Sequence, residues 1–223
     1  MTYLEDPATE ATKARYGRLA PIYDFVEVLP ELRYRSWRER FWEKVRGKLS
    51  RGERLLEVGV GTGKNLPHWP QGIRISAIDL TPGMVARARR WAAKLGLEAE
   101  IVDGDVQRLE FPDDSFDVAV ATFVFCSVPN PLLGLRELAR VVRPGGLIFL
   151  MEHVRSRNPL MGKLMDLLNP LVVRLMGLNI NRDTVGNVIR SGLMLDQVED
   201  LGKGGIFKII HAHVSFPHEG GNA

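Results

Sequence analysis

The chain has 223 residues, 45% of them hydrophobic, and a formal net charge of +3; that is enough apolar material for a substantial core, which excludes a disordered chain or a stapled mini-protein. Its one cysteine, Cys126, cannot form an internal disulfide. The opening MTYLEDPATEATKARYG lacks the apolar core of a secretory signal, so a reducing, cytoplasmic setting is expected.

No repeat, low-complexity tract or Gly/Ser/Pro linker divides the chain, so one domain is expected: a helical cap over 1–50, a core over 51–154, a helical insert over 155–190 and a closing strand pair over 191–223. Short apolar, β-branched runs at 54–60, 74–80, 99–105, 116–124 and 147–154 read as buried parallel strands. Between them, TPGMVARARRWAAKLG (81–96) opens with a Thr cap and a first-turn Pro and stops at Gly, and NPLLGLRELARVVRPGG (130–146) repeats that grammar. Alternating strand and helix imply a parallel sheet covered on both faces. The segment LMGKLMDLLNPLVVRLMGL (160–178) is apolar almost all round but broken by Asn169-Pro170, so it reads as two short helices, too charged and interrupted for a membrane span. Finally, 193–201 and 206–214, joined by a glycine-rich turn, form an antiparallel pair, and the last residues are frayed.

The most informative stretch is Glu57-Val58-Gly59-Val60-Gly61-Thr62-Gly63-Lys64, directly after the first strand. In an open α/β sheet, ligands bind at the carboxyl ends of strands, where a glycine-rich turn lets backbone approach the ligand. A dinucleotide fingerprint needs its third glycine where Lys64 stands, and no glycine-lysine-serine run of the Walker type occurs, so NAD and ATP sites are disfavoured. Asp79 closes the second strand, placed to accept hydrogen bonds from ribose hydroxyls, and Asp105 closes the third. Each alone is an ordinary turn or cap residue; in order, each at a strand end, they mark a nucleoside site.

These residues, with the pair Gly104-Asp105, FPDDSFD (111–117) and RVVRPGG (140–146), resemble class I S-adenosylmethionine-dependent methyltransferases over residues 50–155. The resemblance implies a doubly wound, seven-stranded Rossmann-like sheet of order 3-2-1-4-5-7-6 with an antiparallel last strand, and S-adenosylmethionine as cofactor. It places Gly59, Gly61 and Gly63 against the methionine part with Glu57 in support and gives Asp79 the ribose. Leu80 and Met84 would pack the adenine, Asp105 and Val106 would read its exocyclic amine, and Thr122 and Phe123 would face the sulfur. Met84 fits helix core equally well. The motif of amino-directed nucleic-acid methyltransferases is absent after the fourth strand, where Ala121-Thr122-Phe123-Val124-Phe125 stands, and the small net charge gives no nucleic-acid footprint.

Outside the core, Tyr16 to Asp24 resembles the N-terminal element of ubiquinone and menaquinone C-methyltransferases and of bacterial phosphatidylethanolamine N-methyltransferases. That resemblance makes Tyr16 and Tyr23 candidates near the transferred methyl, where an aromatic face stabilises a sulfonium or ammonium by about 0.5–2 kcal/mol. The strings EHVRS (152–156) and LNINRDT (178–184) resemble the phospholipid and related small-molecule branch. Arg182 is therefore the candidate for an anionic headgroup, and His153 a candidate proton acceptor. The charge is uneven: residues 13–54 carry 12 basic and 6 acidic side chains and 155–190 carry 6 and 2, whereas 55–154 carry 10 and 12. The Met/Leu insert between basic residues suits either a lid buried on the sheet edge or contact with acyl chains and a membrane interface. Cys126, in FVFCSVP, is expected to behave as a small hydrophobe, and no metal site is expected at His211 and His213.

Together these features lead to methyl transfer onto an amphipathic small molecule, foremost the amine of phosphatidylethanolamine at an anionic membrane surface reached peripherally from the cytoplasmic side. C-methylation of a prenylated quinol and thiol methylation are the enzymatic alternatives; a cofactor-binding protein without turnover is the non-enzymatic one. Oligomeric state is left open.

Overall fold

A computed structural model describes residues 6–19, 28–202 and 204–216. Seven strands, β1 (Arg54–Val58), β2 (Arg74–Asp79), β3 (Glu100–Asp103), β4 (Phe116–Thr122), β5 (Val142–His153), β6 (Met194–Leu201) and β7 (Phe207–His213), form one sheet in the order β3-β2-β1-β4-β5-β7-β6. The first five pair in parallel, and β7 runs antiparallel to both β5 and β6. Among the described residues the helices are α1 (Pro7–Leu19), α2 (Val28–Arg46), α3 (Pro82–Leu95), α4 (Pro131–Val141), α5 (Pro159–Met176) and α6 (Thr184–Arg190).

The central strands β1 and β4, and β5 from Leu147 onward, are largely apolar on both faces because both faces are covered. Leu56, Ala119, Ala121, Ile148 and Leu150 face one core with Leu135 and Leu138 of α4 and Val188 of α6. Their chain neighbours Leu55, Val118, Val120, Phe149 and Met151 face a second core with Val85 and Ala88 of α3 and Phe41, Trp42 and Val45 of α2. The two-residue period of a strand sends alternate side chains into the two layers. On α2 the spacing 38, 41, 42, 45 makes one buried stripe, and each large side chain fully buried there contributes about 1.5–3 kcal/mol of hydrophobic free energy.

Three local expectations are corrected. Thr81 precedes α3 but makes no side-chain cap bond; the Asp79 carboxylate takes the Thr81 N–H instead, at 2.9 Å. Residues Arg143 to Gly146 do not close a helix. α4 ends at Val141 and the chain passes directly into β5, where Phe116 pairs with Val142 but Val118 with Leu147, so the intervening residues bulge out of register. The Arg143 guanidinium, 2.7 Å from Asp117, ties the bulge to β4.

The third correction is α5, one continuous helix through Pro170 rather than two. Proline removes a backbone donor, but the Asn169 side chain beside it accepts the Ile180 N–H at 2.9 Å and donates to Asn179 Oδ1 at 3.2 Å, anchoring the helix where it would otherwise part. Its N-terminus is capped by Asn158, which accepts the N–H groups of Leu160 and Met161. Nor is it a buried lid, since only Gly162 and Met165 of α5 are buried.

Candidate active site

The loops that follow β1, β2, β3 and β4 surround one cavity at the carboxyl ends of those strands, and α1 closes its side. Of the residues singled out in the sequence, Gly59, Gly61, Asp79, Leu80, Met84, Asp105, Val106, Thr122, Phe123 and Tyr16 line this cavity. Glu57, buried, lies outside the lining, and Gly63 lines an adjacent basic hollow with Lys64, Arg87, Arg90 and Lys94. His153 and Arg182 are not among the lining residues, and Tyr23 falls outside the described residues.

The glycine loop is shaped by close approach. Gly59 has φ +70°, and a Cβ there would stand 2.3 Å from Val124 Cγ2, so no other residue fits without strain and without displacing the Val124 side chain. At Gly61, φ +56°, a Cβ would meet nothing within 4 Å; this glycine borders open space. Its N–H donates to Asp79 Oδ2 at 2.9 Å, while Asp79 Oδ1 takes the Thr81 N–H, so the carboxylate is fixed at the cavity edge by two backbone donors. Burial pushes the Asp79 carboxyl up from its ordinary value, and those two hydrogen bonds oppose the shift.

Behind the loop lies a network that no motif announces. The Asn65 side chain donates to Glu57 Oε1 at 2.7 Å and to Thr122 Oγ1 at 3.1 Å, and accepts from the Arg38 guanidinium. Trp69 Nε1 donates to the other Glu57 oxygen at 2.6 Å. Glu57 thus supports the site from beneath, and burial raises its pKa to about 7 against the pull of Asn65, Trp69 and Arg38. Arg38, only 4% exposed, lines the cavity and brings a buried cation to it. Such a cation is costly unless paired, and Arg38 meets Asn65 Oδ1 and interacts with the buried Glu57 carboxylate.

On the third-strand side, Gln107 is a hub. Its amide donates to both Asp105 oxygens, at 3.2 and 3.0 Å, and to Thr9 Oγ1 of α1 at 3.0 Å; its carbonyl accepts the N–H of Asn130, the α4 cap. One side chain therefore fixes Asp105, α1 and α4 relative to one another.

The remaining wall is aromatic and aliphatic: Tyr16, Phe123, Val124, Val128 and Pro129, with Ser127. The Tyr16 hydroxyl meets Ser127 Oγ at 2.6 Å. Phe123 is one of two described non-glycine residues with positive φ, at +57°. The next two N–H groups, of Val124 and Phe125, both donate to Glu152 Oε1, at 2.8 and 3.0 Å. Glu152 is fully buried, its Oε2 has no hydrogen-bond partner, and burial raises its pKa to about 7. A left-handed phenylalanine is strained, and the Glu152 clasp holds that turn in place.

His153 is half-buried, its ring edge-on to Phe207 at 5.0 Å, and burial lowers its pKa; Phe207 in turn neighbours Phe123. Arg182 donates through Nη2 to the Val128 carbonyl at 2.9 Å and so props the loop after β4 from behind. Burial pushes the Cys126 thiol up to about 12, as befits a small buried hydrophobe.

The lining suits an adenosyl amino acid: apolar Leu80, Met84 and Val106 for a flat base, the Asp79 carboxylate for a diol, and buried Arg38 for a carboxylate. Comparison with known proteins identifies the family. The family described as "Methyltransferase domain" matches residues 56–150. A phosphatidylethanolamine N-methyltransferase of Cereibacter sphaeroides is 42% identical over 114 residues, 50% of this chain and 56% of that one; the match thus spans little more than half of that relative. The ubiquinone/menaquinone biosynthesis C-methyltransferase UbiE of Roseobacter denitrificans is 31% identical over 185 residues, 79% of this chain and 73% of the relative. The chain belongs to the class I S-adenosylmethionine-dependent methyltransferases. The fold agrees with solved structures of low sequence identity, among them the [4+2]-cyclase SpnF, with a TM-score of 0.69, 21% identity and coverage of 80% of this chain and 81% of that one. In this family S-adenosylmethionine, when bound, supplies an electrophilic methyl group on a sulfonium. In such chemistry the protein's task is to align an acceptor with that methyl and to keep water away.

Proposed function

We propose that this methyltransferase modifies an amphipathic small molecule, foremost the primary amine of phosphatidylethanolamine. The observation that carries the reading is the acceptor wall, formed among the described residues by Tyr16, Phe123, Val124, Ser127, Val128 and Pro129, none of them charged. Such a wall favours an uncharged amine over its ammonium as the group that enters, because desolvation penalises the charged form. The methylated ammonium formed there meets the same penalty, which favours its release to water, and the aromatic faces offset part of it, by about 2 kcal/mol, while it is in the site. No acid or base is needed at the reacting nitrogen. Tyr16, held by Ser127, orients the aromatic face, and Glu152 fixes the turn that carries Phe123. The resemblance to the phosphatidylethanolamine N-methyltransferase supports the same acceptor.

C-methylation of a prenylated quinol is the second reading, favoured by the longer match to the UbiE relative. Incubation with labelled S-adenosylmethionine and vesicles of phosphatidylethanolamine with phosphatidylglycerol should yield methylated lipid. Methylation of a prenylated quinol precursor with no lipid product would decide for the second reading.

A further inference from the structure

We propose that α5 is a membrane-docking helix that lies in the surface of an anionic bilayer. The idea rests on the lipid-substrate reading for its purpose but on separate residues for its evidence. At about 100° per residue, Leu160, Leu164, Leu167, Leu168, Leu171 and Leu175 fall within an arc of about 100°. All six are exposed, from 42% at Leu168 to 81% at Leu160. The opposite face is the one that holds the protein: Met165 is buried, Asn169 is bonded to residues 179 and 180, and Gly162 presses on Arg155, which forks onto Asp166. The helix is already fastened by its inner face, so the leucines are a surface and not a misplaced core.

An isolated exposed leucine needs no explanation, but a continuous stripe along a helix of 18 residues, about 27 Å long, does. Its occupant is identified by charge. Lys163 and Arg174, both exposed, lie within about 40° of the Leu167 edge of the stripe, so cations rim the leucines along one side. Leucine on one face with Lys and Arg beside it is the pattern of a helix seated at an anionic lipid interface. No helix among the described residues is long and apolar enough to cross a membrane, so the helix lies in the plane of the interface.

The placement suits the reading of the site. Asn179, held by α5, donates through its backbone N–H (2.8 Å) and its side chain (3.2 Å) to the Cys126 carbonyl, one residue from the Ser127 that meets Tyr16. At the end of α5, Gly177 packs against Arg15 of α1, the helix that borders the cavity. A bilayer on the leucine face therefore lies one loop away from the acceptor wall.

The test uses the full chain with sedimented vesicles of phosphatidylcholine, with and without an equal part of phosphatidylglycerol. The native protein should bind the mixed vesicles and bind pure phosphatidylcholine far more weakly. Leu164→Ser/Leu168→Ser/Leu171→Ser should lower partition into mixed vesicles by about a hundredfold or more. Lys163→Glu/Arg174→Glu should lower it about tenfold there and leave the neutral vesicles unchanged. Unaltered cofactor-product affinity by calorimetry establishes that both variants are folded. Binding that ignores phosphatidylglycerol, or survives the serine substitutions, overturns the proposal. So does a native dimer that binds no vesicles and that the serine variant converts to monomer, which would make the stripe a contact between copies. Micellar short-chain phosphatidylethanolamine separates the two claims: failure to methylate it sinks the substrate reading and leaves docking standing, whereas methylation without vesicle binding does the reverse.

Discussion

The Tyr16 hydroxyl and Ser127 Oγ stand 2.6 Å apart, joining α1 to the loop after β4 at the wall of the cavity. A hydrogen bond of this kind is worth about 0.5–1.5 kcal/mol net. Tyr16→Phe, which keeps the ring, should therefore cost about two- to tenfold in kcat/KM for the acceptor. Tyr16→Ala should cost at least tenfold more, because it removes the aromatic face as well. Ser127→Ala should match Tyr16→Phe, and the double variant should be no worse than either single one. A double-mutant cycle on kcat/KM reads this directly; additive losses would mean that the two hydroxyls act separately.

Glu57 and Glu152 give the fold an unusual pH signature. Burial raises both carboxyls from 4.5 to about 7. In that interval the folded chain holds protons that the unfolded chain has released, so this contribution is complete below pH 4.5 and lost as the pH rises to about 7. Each carboxyl accounts for roughly 3 kcal/mol by this reckoning. Asp117 and Glu137 are shifted the other way: Arg143 and Arg54 hold Asp117 below its usual range, and Arg140 does the same for Glu137. Their contribution is present above the ordinary carboxyl pKa and lost only in stronger acid. Burial also lowers His153 and His211, whose contribution runs the other way in this window, so the test is a difference between two proteins. Glu152→Gln should remove one carboxyl's share and make the melting temperature fall less from pH 5 to 7.5, by about 5 °C or more. Parallel melting curves against pH for the two proteins would show that Glu152 does not titrate there.

At Gly59 the geometry predicts a structural failure rather than a binding one. Gly59→Ala adds a Cβ that meets Val124 at 2.3 Å on a backbone with φ +70°, two separate penalties that together should exceed about 2 kcal/mol. The melting temperature should fall by about 5 °C or more. Adding Val124→Ala should recover part of the loss, the part due to the clash, while the backbone strain stays. An alanine variant as stable as the parent would mean that the β4 loop yields easily, contrary to its fastening by Glu152.

The glycine loop, Asp79 and Asp105 were legible because each sits at the end of an apolar run, where chain order and spatial order coincide. Asn65, Gln107, Ser127 and Glu152 were not, because what makes them matter is a partner remote in sequence: Tyr16 and Ser127 are 111 residues apart. Arg38 left a trace that went unread. It shares the stripe of Phe41, Trp42 and Val45 on α2, and a cation on a core-facing stripe must have something to meet. Pro170 misled in the opposite sense, since a local rule breaks the helix there and the Asn169 anchorage, made through residues 179 and 180, overrides it.

Asp79 lines the cavity and Arg182 does not, and on the proposed reading their variants should behave as opposites. Both Asp79 oxygens already hold backbone N–H groups, one from Gly61 and one from Thr81, and the carboxylate borders the cavity. Asp79→Ala removes an acceptor for ligand hydroxyls and frees the glycine loop at once. At about 1.5–3 kcal/mol for a hydrogen bond to a charged group, S-adenosylhomocysteine should bind at least about tenfold more weakly by calorimetry. Arg182 does not line the cavity; its Nη2 holds the Val128 carbonyl, and Val128 lines the acceptor wall. Arg182→Ala should leave S-adenosylhomocysteine affinity within about twofold and lower kcat/KM for the acceptor about tenfold, the cost of one charge-assisted bond. Should Arg182→Ala weaken S-adenosylhomocysteine as much as Asp79→Ala does, the loop from Phe123 to Pro129 would belong to the cofactor subsite and the acceptor would have to enter elsewhere.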